Sequence, residues 1–170
     1  MRRAVYPGSF NPVHLGHMHV ILQASRLFDE VRVLIAVNPE KTYRVSAEDR
    51  KRLIESLLGT LPCHNVSVDI SNRPLMEYYD RMDMDAVIRG VRNGAGLESE
   101  RAQSQYNLLL HTGKKPLTYV YLAPNPKFQH LSSTYVRQFI QYCTPAQLVD
   151  LYESVLRGSP AETLYNLYKE

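Results

Sequence analysis

The stretch Gly8-Ser9-Phe10-Asn11-Pro12-Val13-His14-Leu15-Gly16-His17 constrains this chain more than any other. Before it, Arg3 to Tyr6 is a short apolar run that Pro7-Gly8 ends, which predicts a strand entering a turn. After it, Val20, Ile21, Ala24, Leu27 and Phe28 recur at helical spacing, which predicts a helix from His17 to Phe28. Gly8 and Gly16 carry no side chain, so the backbone can approach a ligand closely there. His17 stands at or near the helix N-terminus, where free amides and the helix dipole favour a phosphate. The segment therefore reads as a phosphate-handling turn. It is not a dinucleotide fingerprint, because Gly-x-Gly-x-x-Gly is missing, and not a P-loop, because no Gly-Lys-Ser/Thr follows. A redox Rossmann enzyme is disfavoured. His14 and His17 have no third Cys or acidic ligand close by, so no protein metal site is expected.

The remaining pattern alternates. Val31 to Val37 is apolar apart from Arg32, as in a strand covered on both faces. A helix is expected after Ser46, which has capping-box spacing to Asp49; Leu53, Ile54, Leu57 and Leu58 form its buried stripe and Gly59 its end. Val66 to Ile70 reads as a strand, Pro74 to Met82 as a short helix, and Asp85 to Ile88 as a strand leading into Arg89-Gly90. Leu97 to Leu110 reads as a helix, Leu117 to Leu122 as a strand, and Ser132 to Tyr142 as a capped helix. Pro145 opens a last long helix with Leu148, Leu151, Tyr152, Val155 and Leu156 on one face. Roughly five strand–helix alternations imply an α/β fold, a Rossmann-like doubly wound five-stranded parallel sheet with helices on both faces and a helical C-terminus. No linker or repeat divides residues 1–170, so one domain is expected.

Ligands in such sheets bind at the carboxyl ends of the strands. The distinctive residues fall there: Gly8 to His17 after the first strand, Lys41 after the second, Arg89 and Arg92 after the fourth, and Pro124 to Thr134 after the fifth. Net charge is +3 among 170 residues, without long basic runs, which suits a small anion better than nucleic acid. Two cysteines, Cys63 and Cys143, without metal spacing or a disulfide framework point to a reducing cytoplasm. No segment approaches the ~20 apolar residues of a membrane helix, so no membrane association is expected.

Ser9-Phe10-Asn11-Pro12 followed by His14-Leu15-Gly16-His17 resembles the (T/H)-x-G-H motif of the nucleotidyltransferase superfamily. Arg89-Gly90-Val91-Arg92 after a strand, Glu100 downstream, and Leu131-Ser132-Ser133-Thr134 before a helix resemble the bacterial phosphopantetheine adenylyltransferases. Order, spacing and length agree over nearly the whole chain, least informatively after about residue 145. The resemblance implies adenylyl transfer from ATP to 4'-phosphopantetheine, giving dephospho-coenzyme A and pyrophosphate. It implies a Mg2+ ion bridging ATP oxygens, a homohexamer, and coenzyme A as a feedback competitor.

It also implies roles. His17 matches the transition-state stabiliser, and Lys41 and Arg92 complete the catalytic set. Ser9 matches a contact to both ATP and the acceptor phosphate, with Phe10 on the ATP side. Gly90, Val91, Arg92, Glu100 and the loop Phe128, Gln129, His130, Leu131, Ser132, Ser133, Thr134 match the ATP side. Lys41, Arg89, Met76 and Asn107 match the acceptor side. Asn11 stands where the family usually has Asp, and His14 where it often has Thr. Gly96, Ser99, Phe128 and Gln138 also depart from the usual residues. A nicotinate or nicotinamide mononucleotide adenylyltransferase is the nearest alternative, disfavoured by the short length, Lys41 and Arg89-Gly90-Val91-Arg92. A cytidylyltransferase lacks its usual Arg-Thr-x-Gly-Ile-Ser-Thr-Ser stretch here, and a catalytically silent nucleotide-binding module would not need His17, Lys41 and Arg92 together.

Overall fold

Strands β1 (Arg3–Gly8), β2 (Glu30–Ala36), β3 (Val66–Ser71), β4 (Ala86–Gly90) and β5 (Tyr119–Leu122) form one parallel sheet in the order β3-β2-β1-β4-β5. Around it lie α1 (Leu15–Leu27), α2 (Ala47–Leu58), α3 (Leu75–Arg81), α4 (Gly94–Leu110), α5 (Ser133–Tyr142), α6 (Pro145–Tyr152) and α7 (Ser159–Tyr168). This computed structural model describes residues 1–92, 94–113, 115–152 and 159–170, without the side chains of 94, 95, 99 and 159.

Strand parity sorts the core. Ala4 and Tyr6 of β1 and Ala86 and Ile88 of β4 face the larger cluster, with α1, α2 and α5 to α7. Val5 and Val87, one residue out of phase, face Met76, Tyr78 and Tyr79 of α3. Helices therefore cover both faces, as the alternation of apolar runs requires. Each fully buried Val, Ile or Leu contributes about 1.5–3 kcal/mol relative to exposure.

β1 is central, with β2 and β3 added on one side and β4 and β5 on the other. Winding reverses between β1 and β4, so the ligand crevice lies beyond Gly8 and Gly90 at their carboxyl ends. Ser46 caps α2 as its spacing suggests: its hydroxyl accepts from the Asp49 N–H at 3.0 Å. Helix α1 begins two residues before the expected His17, because His14 is already its N-cap.

The last helical stretch is described as α6, which Pro145 opens, and as α7 from Ser159; Val155 and Leu156, expected on the same face, lie outside the described residues. Pro160 explains the second start: proline is excluded from a helix interior but fits a first turn.

Candidate active site

The turn after β1 is shaped by its rings. A Cβ on Gly8 would stand 3.0 Å from the Phe10 ring, and one on Gly16 would stand 3.0 Å from the His14 ring. The glycines thus make room for aromatic side chains, and both also line the cavity where the sequence suggested room for a ligand. Phe10 is almost fully buried, edge-on to Tyr6 at 5.4 Å and to His17 at 5.0 Å between ring centroids. It buttresses His17 from behind.

His14 and His17 stack at 3.7 Å. The His14 backbone N–H donates to His17 Nδ1 at 3.2 Å, so the neutral ring carries its proton on Nε2. Burial is the first cause holding both rings neutral. It takes His14 down to about 3, with Arg92 adding to the effect. His17 lies well below its ordinary value through burial, then His14 and Arg92. A neutral Nε2–H can donate a hydrogen bond without changing its protonation state.

These groups line a cavity of about 390 Å³ at the switch point, together with Tyr6, Gly8, Arg89, Gly90, Arg92, Glu100, Ser132, Ser133 and Thr134. Arg89 Nε lies 3.1 Å from Glu100 Oε2, the carboxylate facing it from α4. Arg92 Nη1 donates to the Leu131 carbonyl at 2.8 Å, which ties the end of β4 to the loop before α5. Ser132 caps α5 by accepting from the Tyr135 N–H at 3.0 Å. Ser133 Oγ donates to the Pro12 carbonyl at 2.8 Å. Two helix N-termini, those of α1 and α5, meet two guanidinium groups here. Orphan helix amides and fixed cations together make a site for polyanions.

Comparison with known proteins agrees. The cytidylyltransferase-like family model matches residues 5–139. A phosphopantetheine adenylyltransferase from Micrococcus luteus is 38% identical over 143 residues, covering 81% of this chain and 85% of the relative. One from Thermotoga neapolitana is 33% identical over 162 residues, covering 91% and 98%. The chain belongs to the phosphopantetheine adenylyltransferases. A solved structure described as a putative nicotinate-nucleotide adenylyltransferase from Vibrio parahaemolyticus superposes with a TM-score of 0.68 at 19% identity, covering 99% of this chain and 96% of that one. The nicotinic acid mononucleotide adenylyltransferase of Plasmodium falciparum superposes with a TM-score of 0.67 at 14% identity, covering 98% and 97%. At those identities the likeness shows the shared fold.

Among the residues distinctive in the sequence, the structure gathers His17, Arg89, Gly90, Arg92, Glu100 and Ser132 to Thr134 at the cavity. Others lie off it. Ser9 is exposed beside the turn, and its carbonyl accepts from Arg50. Lys41 is exposed on the loop after β2, its N–H bonded to the Asn38 carbonyl at 3.1 Å. Val91 N–H donates to the Leu122 carbonyl at 2.9 Å. Phe128 is half-buried against His19, with Lys127 over its ring; Gln129 and His130 are exposed; Leu131 is buried. Met76 is buried among the α3-side core residues, and Asn107 is buried with its amide donating to Tyr119 Oη at 2.9 Å. The structure brings neither to the cavity. The side chain of Ser99 lies outside the described residues.

Two further residues carry no sequence motif. Tyr6 lines the cavity, and its hydroxyl would lie 3.0 Å from a Cβ on Gly90. The available signal was strand parity: Tyr6 shares its face with Gly8. Arg50 is 1% exposed, donates to the Ser46 and Ser9 carbonyls, and lies over the Tyr43 ring at 4.5 Å. It lay hidden in the basic run Arg50-Lys51-Arg52, which resembles a solvated helix face.

Proposed function

We propose that this protein transfers the adenylyl group of ATP to 4'-phosphopantetheine, releasing dephospho-coenzyme A and pyrophosphate. The observation that carries the chemistry is the meeting of two helix N-termini, Arg89, Arg92 and the neutral Nε2–H of His17 around one cavity. An acceptor phosphate is already an oxyanion, so no protein nucleophile or covalent intermediate is required. Its oxygen bonds to the α-phosphorus of ATP as the bond to the bridging oxygen breaks, and pyrophosphate carries away that electron pair.

The residues then orient and stabilise. His17 donates to the α-phosphate as charge grows on it, a contribution of about 3–4 kcal/mol for one well-aimed donor. Arg92, Gly90, Glu100 and the first turn of α5 hold ATP. Arg89, Ser9 and Lys41 take the acceptor phosphate, Lys41 as a compact point charge. Holding both substrates in line supplies up to ~7–11 kcal/mol. Mg2+ brought in with ATP would neutralise phosphate charge, leaving Arg89, Arg92 and the two helix N-termini to orient the phosphates.

Tyr106, Leu108, Leu109 and Leu110 are exposed at the end of α4, and we assign this apolar surface to contacts between copies in a homohexamer. Free Cys63 and Cys143 suit the cytoplasm, and no helix among the described residues is long and apolar enough to cross a membrane. Coenzyme A, which carries the same pantetheine arm, is the natural competitor at the acceptor side.

The test is pyrophosphate release with MgATP and, in parallel, 4'-phosphopantetheine, nicotinate mononucleotide and phosphocholine. Release with 4'-phosphopantetheine alone is expected. Release only with nicotinate mononucleotide would replace this acceptor, and release with none would favour a silent nucleotide-binding module.

A further inference from the structure

The backbone of the phosphate-handling turn is held by side chains from far along the chain. Phe10 sits at φ 46, a left-handed conformation that a bulky residue adopts only when its surroundings enforce it. The enforcing contacts are visible. The Ser9 carbonyl accepts from Arg50 and the Asn11 carbonyl from Arg137. The Pro12 carbonyl accepts from Ser133 at 2.8 Å and the Val13 carbonyl from Tyr152 at 2.7 Å. Tyr168, in the last turn of α7 and 4% exposed, donates its hydroxyl to Asn11 Oδ1 at 2.8 Å.

The same end of the chain reaches the second phosphate-handling loop. Arg44, just beyond Lys41, donates to the Lys169 carbonyl at 2.6 Å and lies 3.5 Å from the Glu170 carboxylate. Lys169 Nζ in turn donates to the Gln141 carbonyl at 2.7 Å, which fixes this corner onto α5. The C-terminal residues therefore sit between the turn that presents His17 and the loop that presents Lys41.

We propose that Tyr168 is a positioning residue for adenylyl transfer, acting through Asn11 to fix the turn that carries Ser9 and His17. The pairing gives the Asn11 side chain a defined partner. Its amide oxygen accepts from a neutral phenol and offers no negative charge against incoming phosphates. This inference deepens the reading of the cavity as an adenylyl-transfer site and rests on it only for the turnover measurement.

The experiment compares the wild-type protein with Y168F, Y165F, N11A and N11A/Y168F. Y165F is the control, because Tyr165 on the same helix bonds the Cys143 carbonyl at 3.3 Å, away from the turn. Y168F is expected to lower kcat about tenfold with the KM for MgATP changed by less than about threefold, the signature of misplacement. Amide exchange in the peptide spanning residues 8–17 should quicken by about fivefold or more in Y168F and stay unchanged in Y165F. In the N11A background, Y168F should add nothing. Unchanged kcat and exchange in Y168F, or a loss that persists in full on top of N11A, overturns the proposal. If the wild type turns over no acceptor, the reading of its substrate fails while the exchange comparison still decides the role of Tyr168. Should Y168F not fold, N11A removes the same bond from the turn side and carries both readouts.

Discussion

The His14 backbone N–H donates to Nδ1 of His17 at 3.2 Å, and this one bond sets the tautomer of a histidine that lines the cavity. With Nδ1 accepting, Nε2 must carry the proton. H17A removes a donor used mainly in the transition state, so kcat should fall by roughly 10²–10³ while MgATP still binds. Steady-state kinetics paired with calorimetric ATP binding checks both halves. Turnover close to wild type in H17A would refute the donor role.

His14 makes stability pH-dependent. Burial, helped by Arg92, holds its folded pKa down to about 3, against 6.5 for the ordinary side chain. Between those values the unfolded chain binds a proton that the folded chain does not, so stability is lost as pH falls below 6.5. At pH 5 this one group costs about 2 kcal/mol. His14→Thr removes it, so Tm should drop less between pH 7 and pH 5 than in the wild type. His17, also depressed, keeps the variant's limb from becoming flat. Equal drops in Tm would show that His14 is not the responsible group.

How far the sequence reached depended on whether an interaction was local. Strand β1, the α2 cap at Ser46 and the α5 cap at Ser132 are set by neighbours within a few residues, and all are legible in the chain. The cavity set of His17, Arg89, Arg92 and Ser132 to Thr134 was legible because parallel strands deliver their carboxyl ends to one edge. Arg50 and Tyr168 were not, since each reaches the turn across long separations that leave no periodicity. Met76 and Asn107 were assigned through resemblance, and the structure packs both away from the cavity. Strand parity cannot say which wall a helical residue faces once α3 and α4 pack together.

Arg89 and Glu100 were expected on opposite substrates, yet they face each other 3.1 Å apart, with side chains 15% and 32% exposed. Removing Arg89 alone leaves a carboxylate in a cavity built for phosphates. R89A should therefore raise the KM for both substrates, by about 10- to 100-fold, more than loss of one contact implies. R89A/E100Q removes the stranded charge and should recover about tenfold of that loss. A double variant no better than R89A would mean that Glu100 does not repel substrate in the single variant.

Lys41 tests whether a residue outside the cavity takes part in the reaction. Its side chain is exposed, while Arg44 nearby is anchored to Lys169 and Glu170. The loop can thus present Lys41 to a phosphate without disturbing the core. An exposed point charge acts through Coulomb attraction, which salt screens over ~10 Å at 0.1 M. K41A should lower kcat/KM for 4'-phosphopantetheine by about tenfold or more in dilute buffer, and the deficit should shrink as salt is raised toward about 0.5 M. K41R keeps the charge and should recover part of the loss, though not all, because a planar fork replaces a compact ammonium. A deficit independent of salt would instead require a short, desolvated contact, and the loop would then have to close onto the cavity during turnover. Exposure alone puts Lys41 in the screened regime, so the salt series separates the two.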